Sequence, residues 1–109
     1  MQKTRILIVV TTCSERKDAD RLADMAVREK LAACAQVSGP ISSYYWWQGT
    51  REKAEEWRVR MKTTESGYQF LEKFIKKNHP YELPQIIALE ADRVLPEFAQ
   101  WVAENTEGK

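Results

Sequence analysis

The amino-acid sequence predicts an α+β fold, with elements in the order β-α-β-β-α-β and a short last helix. Three observations carry this. Ile41 to Thr63 reads as a long β-hairpin, two amphipathic helical stretches flank it, and short β-branched runs open and follow the pattern. In the second hairpin arm Trp57, Val59, Met61 and Thr63 fall on one face, and Glu56, Arg58, Arg60 and Lys62 on the other. Gln48-Gly49-Thr50 supplies the turn. The first arm carries Tyr44, Tyr45, Trp46 and Trp47 in a row, so bulky rings point to both faces of the sheet.

Taken in order, Arg5 to Thr12 (RILIVVTT) is apolar on successive residues, the pattern of a central strand buried on both faces. Ser14 is a plausible N-cap for a helix in which Ala19, Leu22, Ala23 and Ala26 share a face, ending near Lys30. Leu31 to Val37 forms the next strand. Ser38-Gly39-Pro40 interrupts it with a bulge or bend, because proline cannot donate to a ladder. After the hairpin, Thr64 or Ser66 starts a helix with Tyr68, Leu71, Phe74 and Ile75 inward. His79-Pro80-Tyr81-Glu82-Leu83-Pro84 stops it. Gln85 to Leu89 is the fourth strand. Pro96 opens a final helix with Phe98, Trp101 and Val102 as its apolar stripe, and Asn105 to Lys109 is a polar tail.

This order is the ferredoxin-like, split βαβ arrangement, with helices on one face of an antiparallel sheet. The crossover rule, applied to the strands in turn, places the first and third parallel in the middle and the second and fourth at the edges. That geometry would gather Thr11, Thr12, Cys13, Cys34, Lys62, Thr63 and His79 to Glu82 at one end, with the hairpin tip at the other.

The 109 residues make a single domain over 1–109, with one modest core. The chain is 43% hydrophobic and 30% charged, which excludes a disordered polymer. Its 17 basic and 16 acidic residues leave a net charge of +1, so no excess of charge points to nucleic acid. The apolar run Ile6 to Val10 is too short to insert in a membrane, and the expectation is a cytoplasmic protein. Cys13 and Cys34 have no zinc-finger or CxxC spacing and are expected as reduced thiols.

Cys13, Cys34, His79 and Glu82 are candidate ligands for Cu(II), Cu(I) or Zn(II), since thiolate and imidazole suit such ions. Cys13 can equally be a small core residue. His79, the only histidine, can equally be a turn residue whose ring bonds a backbone carbonyl. Neither a GxSxG elbow nor a P-loop, GxGxxG or HExxH occurs, so no enzyme and no organic cofactor is predicted. A second reading is a sensor of small molecules or anions, with Lys62, Arg58 or Arg60 and Tyr81 in a cleft between subunits. Hairpin arms of about 35 Å outrun the other elements, so a closed homo-oligomer is expected to cover them. If so, Tyr45, Trp47 and Trp57 are candidates for its interface. A trimeric scaffold is the third reading.

The chain resembles the CutA family of divalent-cation tolerance proteins. Leu31-Ala32-Ala33-Cys34 is similar to the family's LAAC stretch, and Ser43, Tyr45, Trp47 and Gly49 to its S-x-Y-x-W-x-G hairpin. Lys62-Thr63, the run from His79 to Leu89, and Trp101 also match. The resemblance implies a ferredoxin-like subunit, a homotrimer held by pairing of strands between subunits, a cytoplasmic setting and a link to copper and other divalent ions. Some members bind copper through positions that hold Thr11, Asn78 and His79 here, so only His79 remains of that set. Cys13 aligns with the cysteine of the family's TCP start, where Ser14 replaces the proline.

Overall fold

A computed structural model describes residues 4–107. It contains β1 (Ile6–Cys13), α1 (Arg16–Arg28), β2 (Cys34–Trp47), β3 (Thr50–Thr64), α2 (Tyr68–Asn78), β4 (Ile87–Glu90) and α3 (Pro96–Glu104). The four strands form one sheet in the order β2-β3-β1-β4, with every neighbouring pair antiparallel. The element order and the edge positions of β2 and β4 agree with expectation.

The central pair does not. β1 and β3 run antiparallel, with Cys13 opposite Trp57 and Ile8 opposite Lys62. The crossover rule governs strands linked through a helix, here β1 to β2 and β3 to β4. Each such parallel pair encloses one strand of the other pair, so the two inner strands must oppose each other. The consequence is large. Lys62 and its partner Cys34 lie five residues from the Cys13 end of the sheet, about 17 Å at the usual rise. The hairpin tip, expected at the far end, projects beyond Cys13.

The core follows from the two periodicities. Val9, Thr11 and Cys13 of β1 and Val59, Met61 and Thr63 of β3 turn one face inward. Ala19, Leu22 and Ala26 of α1 and Leu71, Phe74 and Ile75 of α2 cover that face. Alanines at the contact let α1 sit close to the strands, and each fully buried Leu, Ile or Met contributes about 1.5–3 kcal/mol. Ile6 lies out of phase with Val9. It joins Ala33 and Val102 in a second small cluster under α3. Ile8 and Val10, on that same open face, are only half-buried. β1 is thus covered fully on one side within this chain, where its apolar run predicted both.

β2 carries one extra residue between Ser38 and Ile41, opposite Arg58 to Glu56 of β3. This is the bulge that Ser38-Gly39-Pro40 announces. Gly39 has φ +148°, and a Cβ there would stand 2.9 Å from Cε3 of Trp57. At the tip, Gln48 (φ 49°) and Gly49 (φ 78°) form a two-residue turn of the primed kind that matches strand twist. Since Trp57 faces the last residue of β1, residues 50–56 of β3 have only β2 beside them. About 23 Å of hairpin therefore overhangs the sheet, and the molecule measures 50 × 26 × 21 Å.

The remaining differences are local. α2 starts at Tyr68 after Gly67, whose N–H donates to Thr64 Oγ1 at 3.1 Å. β4 is four residues long, begins at Ile87 and is exposed throughout. In α3 only Val102 enters a core. Phe98 and Trp101 stack on each other at the surface, with ring centroids 5.5 Å apart.

Candidate functional site at the end of β1

Cys13 closes β1 on its inward face, at the start of α1, where it is fully buried. α2 ends one residue before His79, since Pro80 bars the helical conformation before it. Arg21 of α1 ties the two helix ends together, donating from Nη2 to the Asn78 carbonyl at 3.2 Å and facing Asp18 at 3.5 Å. The histidine ring is thereby laid over the end of β1.

Every polar atom of that ring has a defined partner. The Tyr81 N–H donates to Nδ1 at 3.0 Å, so the ring proton sits on Nε2. Nε2–H donates to the Thr12 carbonyl at 2.8 Å, and Cys13 Sγ lies 3.7 Å from the same nitrogen. Burial holds the imidazole below its usual pKa of 6.5, opposed by the Thr12 bond. Burial likewise pushes the Cys13 thiol up to about 11. The pair is therefore a neutral imidazole beside a protonated thiol. His79 is a turn residue bonded to a backbone carbonyl, one of the two roles its sequence position allows.

Tyr81 continues the network. Its ring packs 4.8 Å from that of His79, and its hydroxyl donates to Glu56 Oε2 at 2.6 Å. Burial, followed by this bond to the carboxylate, raises the phenol above its ordinary range. Glu56 is only 7% exposed and sits where the hairpin leaves the sheet. Residues 81–87 then run along the overhang. Together they enclose a cleft of about 820 Å³, lined among others by Thr12, Tyr45, Trp47, Glu56, Tyr81 and Glu82.

The fold thus brings Cys13, His79 and Tyr81 together and adds Glu56. Glu82 is exposed at the cleft rim. Cys34 and Lys62 lie toward the opposite end, where Lys62 Nζ donates to Gln36 at 2.8 Å. Arg58 stands opposite Thr12, half-buried, and neither it nor Lys62 lines the cleft. Tyr45 and Trp47 form a wall of the cleft. Trp57 packs against the core, with the Arg16 guanidinium 5.4 Å over its ring. Sequence reasoning passed over Glu56 as one charge among several on a polar strand face. The Tyr81 hydroxyl that reaches it comes from a segment 25 residues away, which strand alternation does not reveal.

No group of three or more His, Cys, Asp or Glu side chains among the described residues is placed to hold one metal ion. Cys13 and His79 offer two soft donors, and only after Nε2 releases its proton and the thiol ionises.

The sheet order, the two crossover helices and the overhanging hairpin define a ferredoxin-like domain with a cleft at the hairpin base. Residues 7–105 match the CutA1 divalent ion tolerance protein family, and the chain belongs to that family. A divalent-cation tolerance protein CutA of Pyrococcus horikoshii is 33% identical over 101 residues, covering 93% of this chain and 98% of that protein. The structure of CutA1 from Oryza sativa superposes with a TM-score of 0.92 at 31% identity, covering 96% of each chain. A divalent cation tolerance protein of Thermus thermophilus superposes at 0.90 with 32% identity, over 94% of this chain and 99% of that one.

Proposed function

We propose that the protein serves divalent-cation tolerance as a non-catalytic homotrimer that binds a soft divalent cation, copper first among them, weakly at the end of β1. The observation that carries the cation site is the 3.7 Å approach of Cys13 Sγ to His79 Nε2. Sulfur and imidazole nitrogen are the donors that copper favours. Weakness follows from the same geometry. A cation must displace a thiol proton held to about pH 11 and break the bond to Thr12, so binding releases protons and strengthens as pH rises. Two free cysteines suit a reducing compartment such as the cytoplasm.

The trimer is supported by what one chain leaves uncovered. A two-stranded overhang is marginal alone, yet this one carries Tyr44 and Trp46, the latter 72% exposed. Ile87 and Leu89 on β4, and Phe98 and Trp101 on α3, add apolar surface beside an edge strand. Family resemblance supplies the number three. Anaerobic calorimetric titration with Cu(II) tests the cation site, with sedimentation to fix the oligomer. Wild type should bind, and His79→Ala should lose most of the heat. Equal binding by both would remove His79 from the site.

A further inference from the structure

The open face of β3 carries opposite charges on its two halves. Glu52 and Glu56 lie on the overhanging half, and Arg58, Arg60 and Lys62 on the half that lies in the sheet. Beside the basic row stand Ile8 and Val10 of β1, with Ile87 and Leu89 of β4 beyond them, about half exposed. The helices α1 and α2 cover the other face of the sheet. Among the described residues no salt bridge involves any of these five charged side chains. Lys62 donates to Gln36, Arg58 is half-buried, and Arg60, the middle of the row, is exposed. Glu56 is the converse, a carboxylate 7% exposed that accepts from the Tyr81 hydroxyl. It stands in a cleft whose lining holds no lysine, arginine or histidine. Four residues of one strand, about 13 Å, separate it from Arg60, too far for the two side chains to meet within one chain.

We propose that Arg60 of each protomer enters the neighbouring protomer's cleft and pairs with Glu56 there. The pairing rests on the homotrimer proposed above and names the contact that completes the cleft. Covering Ile8, Val10, Ile87 and Leu89 carries the basic row into the same interface, because these residues share one face. A cation taken out of water needs a counter-charge, and so does a buried carboxylate. The overhang supplies the acid and the sheet supplies the base, so the two surfaces fit head to tail. Each protomer gives one and receives the other, and such a heterologous contact can close into a ring. An isologous pairing of the sheet faces would instead set cations against cations. Guanidinium suits the role, since it offers a carboxylate two parallel N–H bonds while Tyr81 keeps its own.

Sedimentation across a dilution series at about 0.15 M salt reads the assembly. If the wild type does not dissociate, every sample receives the same concentration of urea. Arg60→Glu should raise the protomer concentration of half-dissociation at least about tenfold, and Arg60→Gln several-fold. In a Glu56→Gln background, which keeps an oxygen for the Tyr81 hydroxyl, Arg60→Glu should cost less than about threefold. At that salt, charges about 13 Å apart in one chain are largely screened, so the coupling reports a contact between chains. Circular dichroism confirms that each variant is folded. Equal costs in both backgrounds, in a chain that still forms trimers, would overturn the pairing and leave the trimer standing. A wild type that stays monomeric would overturn the trimer and the pairing with it. Inorganic phosphate that stabilises the wild-type trimer, and not that of Arg60→Gln, would give Arg60 to a free anion and also overturn the pairing.

Discussion

Replacing Tyr81 by Phe deletes one oxygen atom and leaves a buried carboxylate without its donor. The ring keeps its packing on His79, and the Tyr81 N–H bond to Nδ1 is untouched, because it belongs to the backbone. What is lost is a 2.6 Å hydrogen bond to Glu56 Oε2. Hydrogen bonds to charged groups contribute about 1.5–3 kcal/mol, and a buried acceptor left bare forfeits its hydration as well. The expected loss is about 2 kcal/mol. Urea unfolding at pH 7.5 measures it, at one fixed protomer concentration because assembly shifts apparent stability. A double-mutant cycle isolates the pair: in a Glu56→Gln background, Tyr81→Phe should cost about 1 kcal/mol less than in wild type. A Tyr81→Phe variant within about 0.5 kcal/mol of wild type, or two equal costs in the cycle, would show that Glu56 does not depend on the hydroxyl.

Two further outcomes follow from the same end of the sheet. His79 has a folded pKa below its ordinary value of 6.5, chiefly through burial. The unfolded chain therefore binds the extra proton first as pH falls below about 6.5. Stability is full above that value and declines until the pH passes the lowered folded pKa. Unfolding free energies at pH 7.5 and 5 should show this decline in wild type and a smaller one in His79→Gln, and parallel curves would remove His79 as its source. Gly39→Ala forces a Cβ to 2.9 Å from Trp57 and 3.1 Å from the Glu56 carbonyl at φ +148°. It should destabilise by about 2 kcal/mol in the same urea assay.

Much of the architecture could be read before any coordinates. The two-residue alternation of β3 correctly separates Val59, Met61 and Thr63 from the polar face, and the spacing of Leu71, Phe74 and Ile75 identifies the buried side of α2. Gly39-Pro40 marks the bulge, and Gln48-Gly49 the turn. The site was legible in part. Opposite directions for β1 and β4 place Cys13 and His79 at one end of the sheet, and the two strands do run antiparallel with those side chains 3.7 Å apart. The expectation of parallel β1 and β3 groups Lys62 and Cys34 with them, and the antiparallel register puts both elsewhere. Local pattern shows which residues face inward. It cannot show how far one strand outruns its neighbour, and that overhang is what makes Glu56 a buried acid at a cleft. The exposure of Phe98 and Trp101 has a similar cause, since helical spacing identifies an apolar stripe without saying whether this chain covers it.

Antiparallel central strands tie the hairpin to the site. Were β1 and β3 parallel, the tip would project away from Cys13, and the aromatic arm would have no bearing on His79 or Tyr81. In the observed register Glu56 is the first overhanging residue beyond the Cys13–Trp57 pair. It is held from one side by the hairpin ladder and from the other by the Tyr81 hydroxyl. Tyr45 and Trp47 stand further out on the same face, so a change in hairpin twist moves the cleft wall relative to its acid. Gly39 is where such a change can arise, because the bulge bends the strand as the arms leave the sheet and a Cβ there would meet Trp57.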